Sequence, residues 1–169
     1  WFFLQDTNDG VQVFTSERAG IKAGSQVRAA GYPALGSYGS VLRDAVCRVE
    51  GQGEMPEPEI LTEAKPLDAQ LHGRWVQVDG WLLDCNQIGK TEVLKIQFGN
   101  RIVDASHLVP NSSAASRQTQ IGSRVRLTGV YSVLADEART PVSFQILVPG
   151  WQQIQVLQQP SWWKAEHAV

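Results

Sequence analysis

Methionine occurs once and cysteine twice in these 169 residues, and nowhere do basic residues form a run. Each scarcity removes a class of protein. Two cysteines, Cys47 and Cys85, are too few for a disulfide framework. Both lie in apolar, strand-like surroundings and read as buried thiols, although an oxidising compartment would allow them to pair. With 15 Lys plus Arg against 17 Asp plus Glu, the formal net charge is −2, whereas a protein that neutralises many phosphates carries a basic surplus or stripe. No stretch approaches the roughly 20 apolar residues that span a bilayer. The chain begins at Trp1 without a Met and reads as an excised segment, so missing targeting signals carry no information on location.

Catalytic patterns are equally sparse. The histidines His72, His107 and His167 are scattered, and none stands beside a Cys or an acid at ligand spacing, which argues against a metal site. Asp104 and Ser106 flank His107 within one strand end, but a triad converges from different elements, so these read as solvated polar residues. Gly36-Ser-Tyr-Gly39 lacks the following Lys and helix of a phosphate loop. No catalytic residue, metal or cofactor is expected.

What is present points to strands. The composition holds 15 Gly and 8 Pro with many Val, Ile and Thr, and no long helix-forming segment. Gly122-Ser-Arg-Val-Arg-Leu-Thr-Gly129 repeats Gly24-Ser-Gln-Val-Arg-Ala-Ala-Gly31, with Gly, Ser, Val, Arg and Gly in register at a domain-sized interval. Trp1 to Gln5 and Val11 to Phe14 read as a hairpin closed by Asn-Asp-Gly. Gln26 to Ala30 and Val41 to Val49 follow as strands, separated by a Gly- and Pro-rich stretch, 31–40, that reads as a loop. Gly51 to Pro58 has linker composition and is the candidate hinge, and Glu59 to Leu71 reads as short helices on either side of Pro66.

The second half alternates more clearly. Val76 and Val78 face one way and Gln77 and Asp79 the other, with a bend expected at Gly80. Glu92, Leu94, Ile96 and Phe98 share one face, and Lys95 and Gln97 the opposite one. Arg101 to Ala105, Arg124 to Gly129 and Val142 to Val148 complete a strand, strand, strand, connector, strand, strand order, the connector 111–120 reading as a solvated loop or short helix. That order is the OB-fold's. The first half repeats it without a first strand, since Trp1 to Gln5 aligns with Glu92 to Phe98. The expected fold class is therefore all-β, with two tandem OB-fold-like small barrels, the first incomplete, joined by a short partly helical linker. The expected segments are 1–53 for the first barrel, 54–72 for the linker, 73–160 for the second barrel and 161–169 for a C-terminal tail.

The chain also resembles a family. Phe2-Phe-Leu-Gln-Asp6 with Gly10-Val-Gln-Val-Phe14, the paired Gly-Ser-x-Val-Arg-x-x-Gly strands, Trp75-Val-Gln-Val-Asp-Gly80, and Phe144-Gln-Ile-Leu-Val-Pro149 with Ile154-Gln-Val-Leu157 carry the likeness. They resemble the extracytoplasmic sensor segment found ahead of some bacterial histidine kinases and related signalling proteins. The resemblance implies a periplasmic or extracellular location, tethering through flanking membrane segments, a homodimer in the full protein, and catalysis confined to a separate cytoplasmic part. It covers nearly the whole chain and specifies architecture better than ligand.

Binding candidates follow from the OB pattern. Its second and third strands with flanking loops hold oligonucleotides or oligosaccharides. Lys95, Gln97 and Arg101 are the candidates there, although the same trio suits an ordinary solvated strand face. Trp1 and Phe3 are candidate stacking residues by type. Trp162 and Trp163, beside Lys164, suit either a membrane interface or docking on the second barrel. The ligand class stays open between a small molecule, an oligosaccharide and a protein. The alternative function is a tandem OB-fold protein that binds single-stranded nucleic acid, against which the acidic balance counts.

Overall fold

A computed structural model describes residues 1–7, 9–17, 20–63, 67–108 and 119–160. Its strands are β1 (Phe2–Gln5), β2 (Gly10–Val13), β3 (Ser25–Leu35), β4 (Ser40–Gln52), β5 (Glu59–Ile60), β6 (Trp75–Ile88), β7 (Thr91–Phe98), β8 (Arg101–Leu108), β9 (Arg124–Ala135), β10 (Pro141–Leu147) and β11 (Ile154–Gln158). Helical structure among the described residues is limited to two 3-10 turns, Ala69–Leu71 and Trp151–Gln153. No helix among them is long and apolar enough to cross a membrane.

Two sheets share one connectivity. The first has the order β1-β2-β4-β3, with β2 and β4 parallel and the other neighbours antiparallel. The second runs β11-β9-β10-β8-β7-β6-β5, and an additional β6–β9 pairing closes β6-β7-β8-β10-β9 on itself. Here β8 and β10 form the parallel pair. The chain is thus all-β with an OB-like barrel of five strands, β6 to β10. β1 to β4 match its second to fifth strands, and the first strand is missing from that copy. Closure is visible in the backbone: the Leu82 N–H donates to Ser123 O at 2.9 Å, and the Gly122 N–H donates to Leu82 O at 2.7 Å.

The repeated octapeptide makes the same local structure twice. Gly24 and Gly122 have φ of +82° and +87°, the left-handed region that side chains disfavour. Ser25 N–H then closes on Lys22 O at 3.0 Å, and Ser123 N–H on Gln120 O at 3.1 Å. At the far end, a Cβ on Gly31 would lie 2.7 Å from Arg43 O, and one on Gly129 would lie 2.6 Å from Leu147 O. Each repeat therefore opens on a turn and ends where a neighbouring strand passes too close for a side chain. The shared arginines both find acids: Arg28 bridges Glu50 at 2.9 Å, and Arg126 bridges Asp79 through two 2.7 Å bonds.

The compact units do not coincide with the consecutive segments drawn from the sequence. One comprises Trp1–Glu59, Leu67–Trp75 and Val130–Phe144; the other comprises the described residues of Ile60–Pro66, Val76–Gly129 and Gln145–Val169. Residues 67–75, expected mostly as linker, belong to the first unit for a physical reason. They dock on the closed end of the β1–β2 hairpin, where Gln5 pairs with Gly10, and on β9. Gln5 Oε1 accepts the Trp75 N–H at 2.7 Å, Gly73 N–H donates to Tyr131 O at 2.8 Å, and a Cβ on Gly10 would fall on the Gly73 carbonyl.

Three local expectations are corrected. The loop at 31–40 shrinks to a turn, closed by Gly36 N–H on Gly39 O at 2.9 Å, because β3 continues to Leu35 past a register shift at Gly31. Pro33 is tolerated there since β3 is the sheet's edge and its partner lies on one side only. Helices around Pro66 are replaced, among the described residues, by β5 and the single turn Ala69–Leu71; Pro66 itself lies outside them. Leu61 N–H is taken by Gln77 O at 2.9 Å, which commits that stretch to strand-like pairing. At Gly80, β6 is unbroken and its irregularity falls between Leu82 and Asp84. Gly80 is required instead by close passage, since a Cβ would lie 2.6 Å from Gln97 O. The connector 111–118, like Trp162 and Trp163, lies outside the described residues.

Candidate binding face and a buried polar network

Antiparallel register builds a stripe across the outside of the second barrel. Trp81 pairs with Gln97, and Gln97 with Ile102, so the three side chains lie on one face. The opposite parity of β7, namely Glu92, Leu94, Ile96 and Phe98, is buried. Trp81 is 40% exposed and Ile102 60%. Beside them Lys95 pairs with Asp104 in register, and its Nζ meets Asp104 Oδ1 at 3.1 Å. Lys95 is thus a neutralised cation. Arg101 is exposed but alternates with buried Val103 and Ala105, so the expected Lys95, Gln97 and Arg101 trio does not share one face.

A groove of about 200 Å³ opens next to the stripe, lined by Glu63, Asp79, Trp81, Gln97, Gly99 and Arg124. Arg126 holds Asp79 bidentately, and this hydrogen bonding keeps the Asp79 carboxyl below its ordinary range. Trp81 is the residue that sequence reasoning missed. Reading the β6 alternation straight through Gly80 would have put an indole on the Gln77 and Asp79 side.

Trp1 and Phe3 are brought together in the first unit, where Trp1 is exposed and Phe3 half-buried. Their rings meet edge to face at 6.0 Å, and Phe3 meets the His72 ring at 5.8 Å, which Tyr38 also approaches at 5.2 Å. His72 Nδ1 accepts the Val133 N–H at 3.1 Å, so the neutral ring carries its proton on Nε2. Burial lowers the His72 pKa. The folded state therefore binds a proton less readily than the unfolded chain. The neutral ring's contribution is complete above the ordinary imidazole value of about 6.5 and is lost as pH falls toward the folded value. Urea melts between pH 7.5 and 5.5 should show stability falling on acidification, with a shallower slope in His72→Phe.

His107 is not solvated, contrary to the sequence expectation. Its side chain has no exposure, and Nε2 lies 2.9 Å from Glu92 Oε2, itself only 5% exposed. The pairing follows from register, because Glu92 and His107 are direct cross-strand partners on the apolar parity of β7 and β8. Cys85 Sγ donates to Glu92 Oε1 at 3.0 Å, and the Trp151 ring packs edge-on against the imidazole at 4.8 Å. Both cysteines are free. Burial and the Glu92 carboxylate push the Cys85 thiol up to about 12. At pH 8 it should stay almost entirely protonated and react with a disulfide reagent orders of magnitude more slowly than an ordinary exposed thiol. A time course in native and unfolded protein measures this directly.

No family model matches the chain, and no curated protein matches it. Solved structures do. An OBody bound to hen egg-white lysozyme is similar at 18% identity and TM-score 0.45, over 62% of this chain and 98% of that one. Asparaginyl-tRNA synthetase from Pyrococcus horikoshii, complexed with asparaginyl-adenylate, is similar at 26% identity and TM-score 0.43, over 63% of this chain and 24% of the synthetase. The Entamoeba histolytica asparaginyl-tRNA synthetase gives 13% identity and TM-score 0.48, over 63% of this chain and 25% of that one. The matched stretch is about a quarter of either synthetase. The OB-like assignment itself rests on strand order and the parallel pairs.

Proposed function

We propose that the chain is the non-catalytic, ligand- or partner-binding segment of a membrane-tethered bacterial signalling protein of histidine-kinase type, lying outside the cytoplasmic membrane. The outer face of β6, β7 and β8 is its receptive surface. The observation that carries the binding role is Trp81, a large indole left 40% exposed on β6, in register with Gln97 and so at the margin of the β7–β8 face, the second and third strands that OB-folds use for ligands. The sensor context is supported by the strand-pattern resemblance, which extends over nearly the whole chain. The full protein would act as a homodimer, with signalling catalysis elsewhere. Binding of single-stranded nucleic acid is the less supported role, because Lys95 is paired with Asp104 and the formal net charge is −2.

A fusion of the native full-length protein, cut after residue 160, to alkaline phosphatase tests the location. High phosphatase activity in intact cells is the expected result. An inactive fusion recovered in the cytoplasm, together with low-salt binding of labelled single-stranded DNA that Lys95→Glu abolishes, would reinstate the nucleic-acid role.

A further inference from the structure

We infer that the groove beside Trp81 binds a ring of an uncharged sugar, stacked on the indole. This rests on the reading of the β6–β7–β8 face as the receptive surface, and it adds the chemistry of the occupant. Size comes first. A groove of about 200 Å³ holds about six or seven waters at ~30 Å³ each. That suits one pyranose ring and is short of a base, ribose and phosphate together.

Charge is the second argument. Glu63 and Asp79 line the groove with Arg124, and Arg126, which is not part of the lining, holds Asp79 through both oxygens. Arg126 thus neutralises Asp79 from outside the lining, and the remaining Glu63 and Arg124 are of opposite charge, so the groove is balanced. A phosphate arriving there would meet both acids, and an ammonium group would meet Arg124. A hydroxylated neutral ring is penalised by neither. It also needs donors and acceptors close together, which the Gln97 amide, the carboxylates and the Arg124 fork supply. The wall is the third argument. Trp81 lines the groove with an indole, an apolar surface of the kind that packs on sugar C–H groups, and Gly99 beside it carries no side chain.

The test is a titration of uniformly 15N-labelled chain with cellotriose, maltotriose and chitotriose, and in parallel with trigalacturonate and oligo-dT. The reporters are the Trp81 indole N–H and the Gln97 side-chain amide. We expect at least one neutral trisaccharide to shift both and saturate, with no saturable shift from the acidic ligands. Trp81→Ala should weaken binding about tenfold or more, and Trp81→Phe, which keeps a smaller ring, should fall between. Indole and amide signals that move only with trigalacturonate or oligo-dT would overturn the sugar assignment and leave the face intact. Sugar-induced shifts confined to residues around Trp1 and Phe3 would overturn both. Silence of Trp81 toward every neutral sugar would overturn the assignment.

Discussion

Replacing His107 with leucine should lower the unfolding free energy by about 3–5 kcal/mol, because it strands a buried carboxylate. Leucine is close to imidazole in volume, so the cavity left is small. What is lost is the 2.9 Å partner of Glu92, a side chain only 5% exposed. The Cys85 thiol, 3.0 Å from the other carboxylate oxygen, is a weak donor and compensates little. The double variant Glu92→Leu/His107→Leu should recover most of the loss, since a buried pair replaced by apolar groups is often near neutral. Urea denaturation with an unchanged m-value measures both. Losses that simply add in the double variant would show that the two residues do not act as a unit.

Gly129→Val should cost about 3 kcal/mol, at the upper end of overpacking effects. The first atom added would lie 2.6 Å from Leu147 O and 2.7 Å from Ile146 Cγ2, and a backbone carbonyl cannot rotate away as a side chain can. The control is Gly89→Ala, at φ +63° with nothing within 4 Å of an added Cβ. There only conformational strain remains, about 1 kcal/mol. Comparable losses at the two sites, read by thermal or urea unfolding, would mean that close strand passage is not why the octapeptide ends in glycine.

These two sites also mark how far the sequence could be read. The octapeptide was visible as a repeat, and its alternation placed Val125 and Leu127 in the core, where both are buried. The missing first strand was legible too, because Trp1 to Gln5 aligned with the second strand of the later copy. The binding face was less so. Lys95 and Gln97 were correctly set opposite Leu94 and Ile96, but only cross-strand register reveals that Asp104 neutralises Lys95. Register lies between strands and is absent from any one segment's pattern. Trp81 stays hidden because a bend expected at Gly80 interrupts the alternation that would place it beside Gln77 and Asp79.

The burial of His107 is hard to read from the sequence for a related reason. Glu92 already stood on an apolar parity, and a buried glutamate requires a partner. The partner sits 15 residues on, at the matching parity of the next strand. Likewise residues 67–75 look like linker in composition, and their contacts with Gln5 and Gly10 join segments far apart in sequence, which no local pattern reveals.

One OB-like strand order occurs twice, and the second copy, through the register of β6, β7 and β8, places Trp81 on the outer face. Interstrand nuclear Overhauser contacts of the isotopically labelled chain test it most directly. Parallel-type contacts are predicted between Ala105 and Ile146 and between Val13 and Leu42, with β6 closing on β9 through Leu82 and Ser123. Antiparallel patterns at either pair, or no β6–β9 closure, would contradict the account.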